Sequence, residues 1–550
     1  MPVRLIVILC ATASACGGGS GADPDSGATS DGAGFDASDP IIPDDPGAAD
    51  IQVRVDTGLD LRAISPFVYG TNQPEWSGRG AHITLSRAGG NRWTAYNWEN
   101  NASNAGSDYL HQNDGYLGGG DIPGEAVRAH VAEAHANGAA ALVTVPIIDY
   151  VAADKNGGGD VSQTPNYLDV RFKDNHPAKG SAFSNPPDTG DDDVYQDELV
   201  SFLEDAFPDA RTDPRETIFY SLDNEPDLWS ETHARVHPQP VRYDELVQRN
   251  RDYAIAIKAV APSALVFGFV SYGWNGYVTL QDAPDAAGRD FIDYYLGAMA
   301  AAETSAGTRL LDVLDLHWYP EATGGGVRIT ADDAGDAIAA ARMQAPRSLW
   351  DPSYTEDSWI TQFSTLGPIE LLPRMQAKID AAYPGTRLAI TEYYYGGGDH
   401  VSGGIAQADV LGIYGREGLF AATLWHLGNS DDSFIWAGFN AYLDYDGASG
   451  RFGDTSVRAT TSAHENSSAY ASIDAGSAER VVIVLINKEA SARTAGLAVT
   501  HHVRFGTAEV YRFSAGSALI ERGDDLPITL TNAVVYTMPA HSVTTLVLQP

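Results

Sequence analysis

Eight short apolar segments, each of strand length, alternate with segments of helical periodicity along the middle of the chain. The apolar segments are 67–70, 84–87, 141–146, 218–222, 265–268, 313–317, 388–391 and 422–425. Helical periodicity occurs at 125–136, 196–207, 243–260, 291–302, 369–383 and 405–416. Strands that alternate with helices in this way predict an α/β fold, a (β/α)8 TIM barrel over residues 66–454.

The helical pattern disappears after about residue 454. Short β-prone runs separated by turn residues follow at 469–474, 481–487, 497–500, 509–513, 528–530, 534–538 and 542–548. They predict a C-terminal all-β sandwich over residues 455–550. Residues 51–55 alternate apolar and polar side chains ahead of the barrel, so we expect 51–65 to contribute an N-terminal strand to the sandwich.

The N-terminus has the pattern of an export signal. Residues 1–15 combine Arg4, an apolar run and small residues ahead of Cys16, which resembles a bacterial lipoprotein signal and predicts a lipid on Cys16. Plain cleavage after Ala15 is the alternative. In either case we expect an extracellular or outer-surface protein. Residues 16–50, rich in Gly, Ala and Asp, predict a disordered acidic linker.

Charge and cysteine content exclude several classes of protein. The 35 basic and 73 acidic residues give a formal charge of −38, which argues against nucleic acid or an anionic membrane surface as partner. Both cysteines lie within the first sixteen residues, so the body of the chain has no disulfide framework and no cysteine zinc site. We expect a monomer that binds a neutral ligand and reaches a membrane only through a lipid on Cys16.

Two glutamates follow apolar segments directly. Glu225 comes after segment 218–222 in an Asn-Glu-Pro triplet, and Glu392 comes after segment 388–391. Catalytic residues of barrel enzymes lie at the carboxyl ends of the strands, so we expect both carboxylates to face one cleft. A pair of carboxyl groups about 5 Å apart performs retaining glycoside hydrolysis. We therefore predict Glu225 as the acid/base and Glu392 as the nucleophile.

Amide and aromatic side chains accompany these glutamates. Such groups hydrogen-bond sugar hydroxyls and stack on the apolar faces of sugar rings. We expect Asn224 to bind the hydroxyl next to the reaction centre. The further predicted substrate-binding residues are Asn91, Trp98, Trp229, His317, Tyr319, Tyr394 and Trp425.

Motifs of other hydrolases are incomplete in this sequence. The segment Phe269-Val270-Ser271-Tyr272-Gly273 lacks the first glycine of a serine hydrolase elbow. His464-Glu465 has no second histidine at metalloprotease spacing. Serine and zinc hydrolases are therefore disfavoured.

Several longer motifs resemble family 44 glycoside hydrolases. They are RAGGNRWTAYNWENN (87–101), YSLDNEPDLW (220–229), LDVLDLHWY (311–319), QAPRSLWDPSYTEDSW (344–359), ITEYYYGG (390–397) and SGGIAQADVLG (402–412). The resemblance runs from about residue 51 to the C-terminus. It implies a barrel with a β-sandwich and a retaining endo-β-1,4-glucanase that acts on cellulose-type glucans and often on xyloglucan. It also implies that Glu225 is the acid/base and Glu392 the nucleophile.

The resemblance implies no cofactor for catalysis, although family members can carry a bound metal such as structural calcium. Asp149, Asp154 and residues 191–193 are the candidate ligands, and none is assigned. Two alternative functions stay open: a surface lipoprotein that binds glucan without cutting it, and a glycosidase that prefers xylan or mannan.

Overall fold

The computed structural model describes residues 39–72, 74–427 and 431–550. The predicted signal peptide, Cys16 and most of the linker lie outside these residues. Within the described ranges, no helix has the length and apolar character needed to cross a membrane.

Eight parallel strands form a closed barrel, as predicted. They are Gly70–Thr71, Leu85–Ala88, Ala140–Val145, Ile218–Leu222, Val266–Ser271, Val313–Trp318, Arg387–Tyr393 and Ala421–Leu424. The strands pair in chain order, and the last strand closes the barrel by pairing with the first. Nearly all of their residues are buried, which agrees with the almost continuously apolar segments in the sequence.

The first barrel strand differs from the prediction. Residues 67–70 were expected to form it, but Pro66–Val68 is a 3-10 helix and the strand is Gly70–Thr71. Pro66 fixes a helical φ at the first position of that turn, and Oγ of Ser65 accepts a hydrogen bond from the amide of Phe67. A Cβ at Gly70 would lie 2.5 Å from the carbonyl oxygen of Ala422, so glycine permits the close approach of the first and last strands.

Helices surround the barrel and connect most of its strands. The longer ones are Glu125–Ala136, Gln196–Ala206, Tyr243–Val260, Phe291–Ala306, Asp336–Gln344, Leu371–Ala382, Val401–Glu417 and Ser433–Leu443. Short helices, Asn91–Thr94, Tyr167–Arg171, Trp229–Thr232 and Trp274–Thr279, occur within the loops.

Three small sheets belong to loops that leave the carboxyl ends of the second, third and sixth barrel strands. Their strands are Tyr96–Asn97, Ala102–Asn104 and Asn113–Asp114, then Tyr150–Ala152, Phe172–His176 and Asp193–Tyr195, and finally Thr323–Gly324 with Val327–Arg328. These sheets build up the end of the barrel at which the candidate catalytic residues lie.

The C-terminal domain is built from β-strands around its own apolar core. The strands are Ile51–Asp56, Arg62–Ala63, Thr455–Thr461, Ser467–Asp474, Ser477–Asn487, Arg493–Thr500, Thr507–Ser514, Ser517–Arg522, Leu526–Pro527, Ala533–Met538 and Ser542–Gln549. Strand Thr455–Thr461 pairs through its first half with Ser467–Asp474 and through its second half with Ile51–Asp56, so it joins the two parts of the sheet. The expected strand at 528–530 is absent, and Leu526–Pro527 pairs in its place.

Residues 39–50, which the sequence predicts as part of the linker, lie against this domain. The amide of Ile41 donates to the carbonyl of His501 at 2.8 Å. The carboxylates of Asp44 and Asp50 accept hydrogen bonds from the amides of Thr531 and Thr494 at 2.7 and 2.8 Å. Backbone amides of the β-domain therefore bind two of the aspartates on which the prediction of a disordered linker was based.

Candidate active site

Glu225 lies at the carboxyl end of the fourth barrel strand in a strained turn. Its φ is +46°, a region that non-glycine residues rarely adopt. Its amide donates to the carbonyl of Val270 at 2.9 Å, and Pro226 begins a 3-10 helix directly after it. The turn aims the carboxyl group across the barrel end, and strain of this kind is concentrated at functional sites.

Glu392 is the second-to-last residue of the seventh strand, Arg387–Tyr393. A register shift after Leu316 pairs His317 of the sixth strand directly with Glu392. The shift therefore brings both side chains to the same edge of the barrel.

The structure brings the two predicted catalytic carboxyl groups together. One oxygen of Glu225, one oxygen of Glu392 and one ring nitrogen of His317 all lie within 4.8 Å of one another. Nδ1 of His317 is 2.8 Å from Oε1 of Glu225 and 3.5 Å from Oε2 of Glu392. The imidazole therefore stands between the two acids, where it fixes their relative positions.

A buried arginine holds Glu392 from the other side. Nη1 of Arg87 lies 2.7 Å from Oε1 of Glu392 and donates to Oδ1 of Asn72 at 2.9 Å. Nη2 of Arg87 donates to Oδ1 of Asn224 at 2.8 Å. Arg87 and Asn72 were not predicted as site residues. The signal available for Arg87 was a charged side chain at the end of an apolar strand, which needs a partner when buried.

Tyr319 completes the surroundings of Glu392. Its hydroxyl donates to Oε2 of Glu392 at 2.7 Å. Burial raises the pKa of Tyr319 well above its usual value, so the hydroxyl keeps its proton. Glu392 thus accepts hydrogen bonds on both carboxylate oxygens, which fixes the orientation of the carboxylate.

The environments of the acids differ. Burial raises the pKa of Glu225 to about 7, against the opposing effect of the Arg87 guanidinium. Burial also lowers the pKa of His317 to about 3, so the imidazole is neutral in near-neutral medium. The site therefore pairs a carboxyl group that retains its proton near neutrality with a carboxylate that is bound by a cation.

Trp425 and Asn91, two of the predicted binding residues, lie beside this site. A Cβ built on Gly90 would fall 2.5 Å from the Trp425 ring, and the Gly90 amide donates to Oδ1 of Asn224 at 3.2 Å. Asn91 follows Gly90 and donates through Nδ2 to Asp108 at 2.7 Å. Both side chains are only partly buried.

Trp98, Trp229 and Tyr394 lie in the core, contrary to the prediction that they bind sugar. Each is at most 1% exposed. Trp98 packs against Phe202, and Trp229 packs against His237. A sugar ring has no exposed face to stack on at these positions.

A cavity of about 230 Å³ opens next to Glu225. Aromatic, apolar and charged side chains surround it: Tyr272, Trp274, Trp318, Tyr319, Glu321, Arg328, Trp359 and Leu427. Tyr272 and Trp359 come from loops after the fifth and sixth strands, and sequence reasoning did not single them out as binding residues. A cavity with aromatic walls beside a protonated carboxyl group suits a sugar unit.

Comparison with known proteins places this chain in a family. The family model described as glycoside hydrolase family 44 matches residues 102–322. Endoglucanase A of Paenibacillus lautus is 44% identical over 527 residues, which cover 91% of this chain and 73% of that protein. The chain belongs to glycoside hydrolase family 44.

Solved family 44 structures have the same architecture. A Paenibacillus polymyxa family 44 xyloglucanase, solved with xyloglucan, is 42% identical with a TM-score of 0.87, covering 91% of this chain and 99% of that chain. A family 44 endoglucanase of Clostridium thermocellum is 43% identical with a TM-score of 0.86, covering 91% of this chain and 100% of that chain. The predicted barrel with its added β-domain is confirmed.

The family 44 resemblance also raised structural calcium, for which two of the candidate aspartates are unsuitable. Asp149 is bound by Arg249 at 2.8 Å, and Asp154 is bound by Arg171 at 2.6 Å. A carboxylate already paired with a guanidinium is a poor ligand for a second cation.

The surroundings of Asp191 and Asp193 do not favour calcium either. Asp193 lies near Asp174 and His176, with ligand atoms within 4.8 Å of one another, but an imidazole is not a ligand that calcium prefers. Nζ of Lys173 lies 4.0 Å from Asp191. Structural calcium stays a prediction without a site.

Proposed function

We propose that this family 44 chain is a retaining, endo-acting glycosidase that cleaves β-1,4-glucosidic bonds in cellulose-type glucans and xyloglucan. The observation that carries the mechanism is the separation of at most 4.8 Å between an oxygen of Glu225 and one of Glu392. Retaining enzymes have carboxyl groups about 5–5.5 Å apart, whereas inverting enzymes need about 6.5–9.5 Å to admit a water molecule. The spacing supports direct attack by a carboxylate.

In the first step Glu225 gives its proton to the glycosidic oxygen while the carboxylate of Glu392 attacks the anomeric carbon. The bond to the leaving sugar breaks and an ester forms between Glu392 and the glucosyl unit. In the second step ionised Glu225 takes a proton from water, and the hydroxide attacks the same carbon and releases Glu392. The pKa of about 7 for Glu225 supports both roles.

The surrounding residues have separate tasks in this proposal. Arg87 and Tyr319 hold the nucleophile and restrain its orientation. Oδ1 of Asn224 accepts hydrogen bonds from Arg87 and from the Gly90 amide, and this orientation presents Nδ2 as the donor to the sugar hydroxyl next to the reaction centre. The cavity beside Glu225 lies on the acid's side and would hold the leaving sugar.

Removal of each carboxylate tests the proposed roles. Glu392→Gln should fold normally and lose most activity on polymeric glucan. Glu225→Gln should also lose that activity, yet an activated aryl cellobioside, whose leaving group needs little protonation, should still form a covalent glycosyl ester on Glu392. Mass spectrometry of the trapped peptide would locate the ester, and its appearance on any other residue would reject the assignment.

The substrate proposal is supported by the endoglucanase and xyloglucanase relatives. A time course of products from xyloglucan, carboxymethylcellulose and xylan tests it, with mannan included for the remaining glycosidase alternative. Rapid loss of polymer length on the two glucans supports endo attack on them. A faster release from xylan or mannan would favour the alternative substrates, and binding without any products would favour a non-catalytic glucan-binding protein.

We also propose that the enzyme is exported as a monomer and held at the outer cell surface by a lipid on Cys16. The sequence pattern of residues 1–16 supports this proposal. Cys16→Ala should move the protein from the membrane fraction to the soluble one. A parent protein that is already soluble would favour cleavage after Ala15 without a lipid. A variant that stays in the membrane fraction would reject the lipid on Cys16.

A further inference from the structure

Asp223 lies two residues before the proposed acid/base, in the same strained turn. Its φ is +69° and that of Glu225 is +46°, both in the left-handed region that residues other than glycine rarely adopt. The side chain of Asp223 is fully buried. Because such conformations persist only where surrounding contacts hold them, the turn that carries Glu225 needs a restraint.

The carboxylate of Asp223 binds the loop that follows the third barrel strand. Its Oδ2 accepts hydrogen bonds from the amides of Ile147 and Ile148, at 2.6 and 3.2 Å. The amide of Asp223 also donates to the carbonyl of Val145, the last residue of that strand, at 3.1 Å. The backbone and the side chain of Asp223 thus both fasten the turn to the third strand.

The other carboxylate oxygen of Asp223 acts within the turn itself. Oδ1 accepts a hydrogen bond from the amide of Asn224 at 2.8 Å. Burial raises the pKa of Asp223 to about 6, against the opposing effect of these backbone donors, so the group is ionised at neutral pH. An ionised carboxylate accepts on both oxygens, and the bond to Asn224 restrains the peptide from which that side chain projects.

The fifth strand holds the turn from the opposite side. The amide of Glu225 donates to the carbonyl of Val270 at 2.9 Å. The φ of Val270 is +66°, which is an outlier for a β-branched residue. Arg87 orients the side chain of Asn224, whereas Asp223 restrains its backbone. The acid/base turn is therefore fixed between its two neighbouring strands.

We propose that Asp223 is a positioning residue, whose carboxylate fixes the backbone from which Asn224 and Glu225 reach the substrate. Since Asp223 is fully buried, it acts through these two residues and does not contact the sugar. This role rests on the proposed function, in which Asn224 donates to the sugar hydroxyl next to the reaction centre. A misplacement of about 1 Å lowers catalysis by about 100-fold, which is the loss in kcat/KM that we expect for Asp223→Asn on glucan.

The dependence of the rate on one sugar hydroxyl tests this role. The substrates are an activated aryl cellobioside and its analogue without the 2-hydroxyl of the reacting glucosyl unit. The ratio of their kcat/KM values reports the contact with Asn224, and Asn224→Ala gives the ratio without that contact. We expect Asp223→Asn to lower the ratio at least about tenfold, toward that of Asn224→Ala. In the Asn224→Ala background the same change should lower it no further.

A matched control replaces a buried carboxylate at the other end of the barrel. Asp312 directly precedes the sixth strand, and its Oδ2 accepts a hydrogen bond from the amide of Val266 at 2.9 Å. Asp312→Asn should leave the ratio at the parent value, because a smaller folded fraction lowers both rates equally. Asp223→Gly is the second variant if Asp223→Asn does not fold in thermal melting, since glycine adopts a φ of +69° without strain.

The outcomes separate positioning from a structural role and from failure of the proposed function. A parent ratio in a folded Asp223 variant would overturn the proposal, whether its activity falls equally on both substrates or does not fall. A parent ratio equal to that of Asn224→Ala would overturn it as well. Failure of the proposed function appears elsewhere, as a parent enzyme that forms no ester on Glu392 with the aryl cellobioside.

Discussion

Arg87 and Glu392, 305 residues apart in sequence, form a buried ion pair with 2.7 Å between Nη1 and Oε1. The same guanidinium binds Asn224 at 2.8 Å. One cation thus ties together the ends of the second, fourth and seventh barrel strands. Arg87 therefore holds both the nucleophile and Asn224, the residue next to the acid. We expect it to affect catalysis although it does not contact the transferred proton.

Arg87→Met should lower kcat/KM on polymeric glucan by about 100-fold. A hydrogen bond to a charged group contributes about 1.5–3 kcal/mol, which corresponds to roughly 10- to 150-fold in rate, and two such contacts are lost here. Steady-state kinetics measure the effect, and circular dichroism checks the fold. Arg522→Met, at a half-exposed pair in the β-domain, is the matched control and should keep full activity. Parent-level activity in Arg87→Met would contradict the positioning role.

The proton on Glu225 should limit activity at alkaline pH. With a pKa of about 7, the protonated fraction falls about tenfold for each pH unit above that value, so kcat/KM on glucan should fall in proportion. An activated aryl cellobioside needs little protonation of its leaving group, so the alkaline fall should be much weaker with that substrate. Identical alkaline limbs for the two substrates would show that another group controls the profile.

The raised pKa of Glu225 also predicts a gain in stability on its removal. Between about pH 4.5 and about pH 7 the native state binds more protons than the unfolded state, so the free energy of unfolding falls as pH rises, by on the order of 3 kcal/mol in total. Glu225→Gln lacks this loss. Urea unfolding at both ends of the window should show that the free energy of unfolding of the variant, relative to that of the parent, is higher at about pH 7 than at about pH 4.5.

The comparison of variant and parent removes the contributions of other buried acids. Asp223, Asp227 and Asp315 also have raised pKa values, and they are common to both proteins. Glu231→Gln, at an exposed glutamate nearby, should run parallel to the parent at all pH values. A constant difference between Glu225→Gln and the parent would mean that Glu225 is not desolvated as described.

Periodicity predicted the barrel because its strands are buried on both faces and its helices on one. The prediction was wrong where a local sequence rule conflicted with tertiary packing. The helix expected to begin at residue 405 begins at Val401, since Gly403 and Gly404 resemble a helix break. A Cβ at Gly403 would lie 2.0 Å from the carbonyl oxygen of Gly397, so that glycine serves close packing.

The site was predictable where a residue's position along a strand fixes its direction. His317 and Glu392 lie in the last two residues of their strands, Glu225 and Tyr319 lie just beyond strand ends, and the four side chains converge. Trp98 and Trp229 lie on loops, where the direction of a side chain depends on tertiary packing. Asn72 and Tyr272 also directly follow barrel strands, but the predicted apolar segments ended early, at residues 70 and 268, so neither residue was expected at a strand end.

The β-domain is fixed to the barrel by a buried ion pair, whose disruption should destabilise the protein strongly. Lys488 of the β-domain and Asp409 of the barrel helix are 2.7 Å apart and almost fully buried, and the hydroxyl of Tyr470 donates to Asp409 at 2.6 Å. Lys488→Met leaves a buried carboxylate without its cation, which costs about 3–5 kcal/mol. Urea unfolding should show a correspondingly lower midpoint.

The loss in Lys488→Met should come from the uncompensated charge and not from the missing side chain. Replacing both partners in Lys488→Met with Asp409→Leu should therefore restore part of the stability, because no charge is then buried alone. Arg458→Met, which breaks the exposed pair with Asp60, is the control and should leave the unfolding midpoint nearly unchanged, because solvent screens an exposed pair. An unfolding midpoint in Lys488→Met equal to that of Arg458→Met would mean that the buried pair does not hold the domains together.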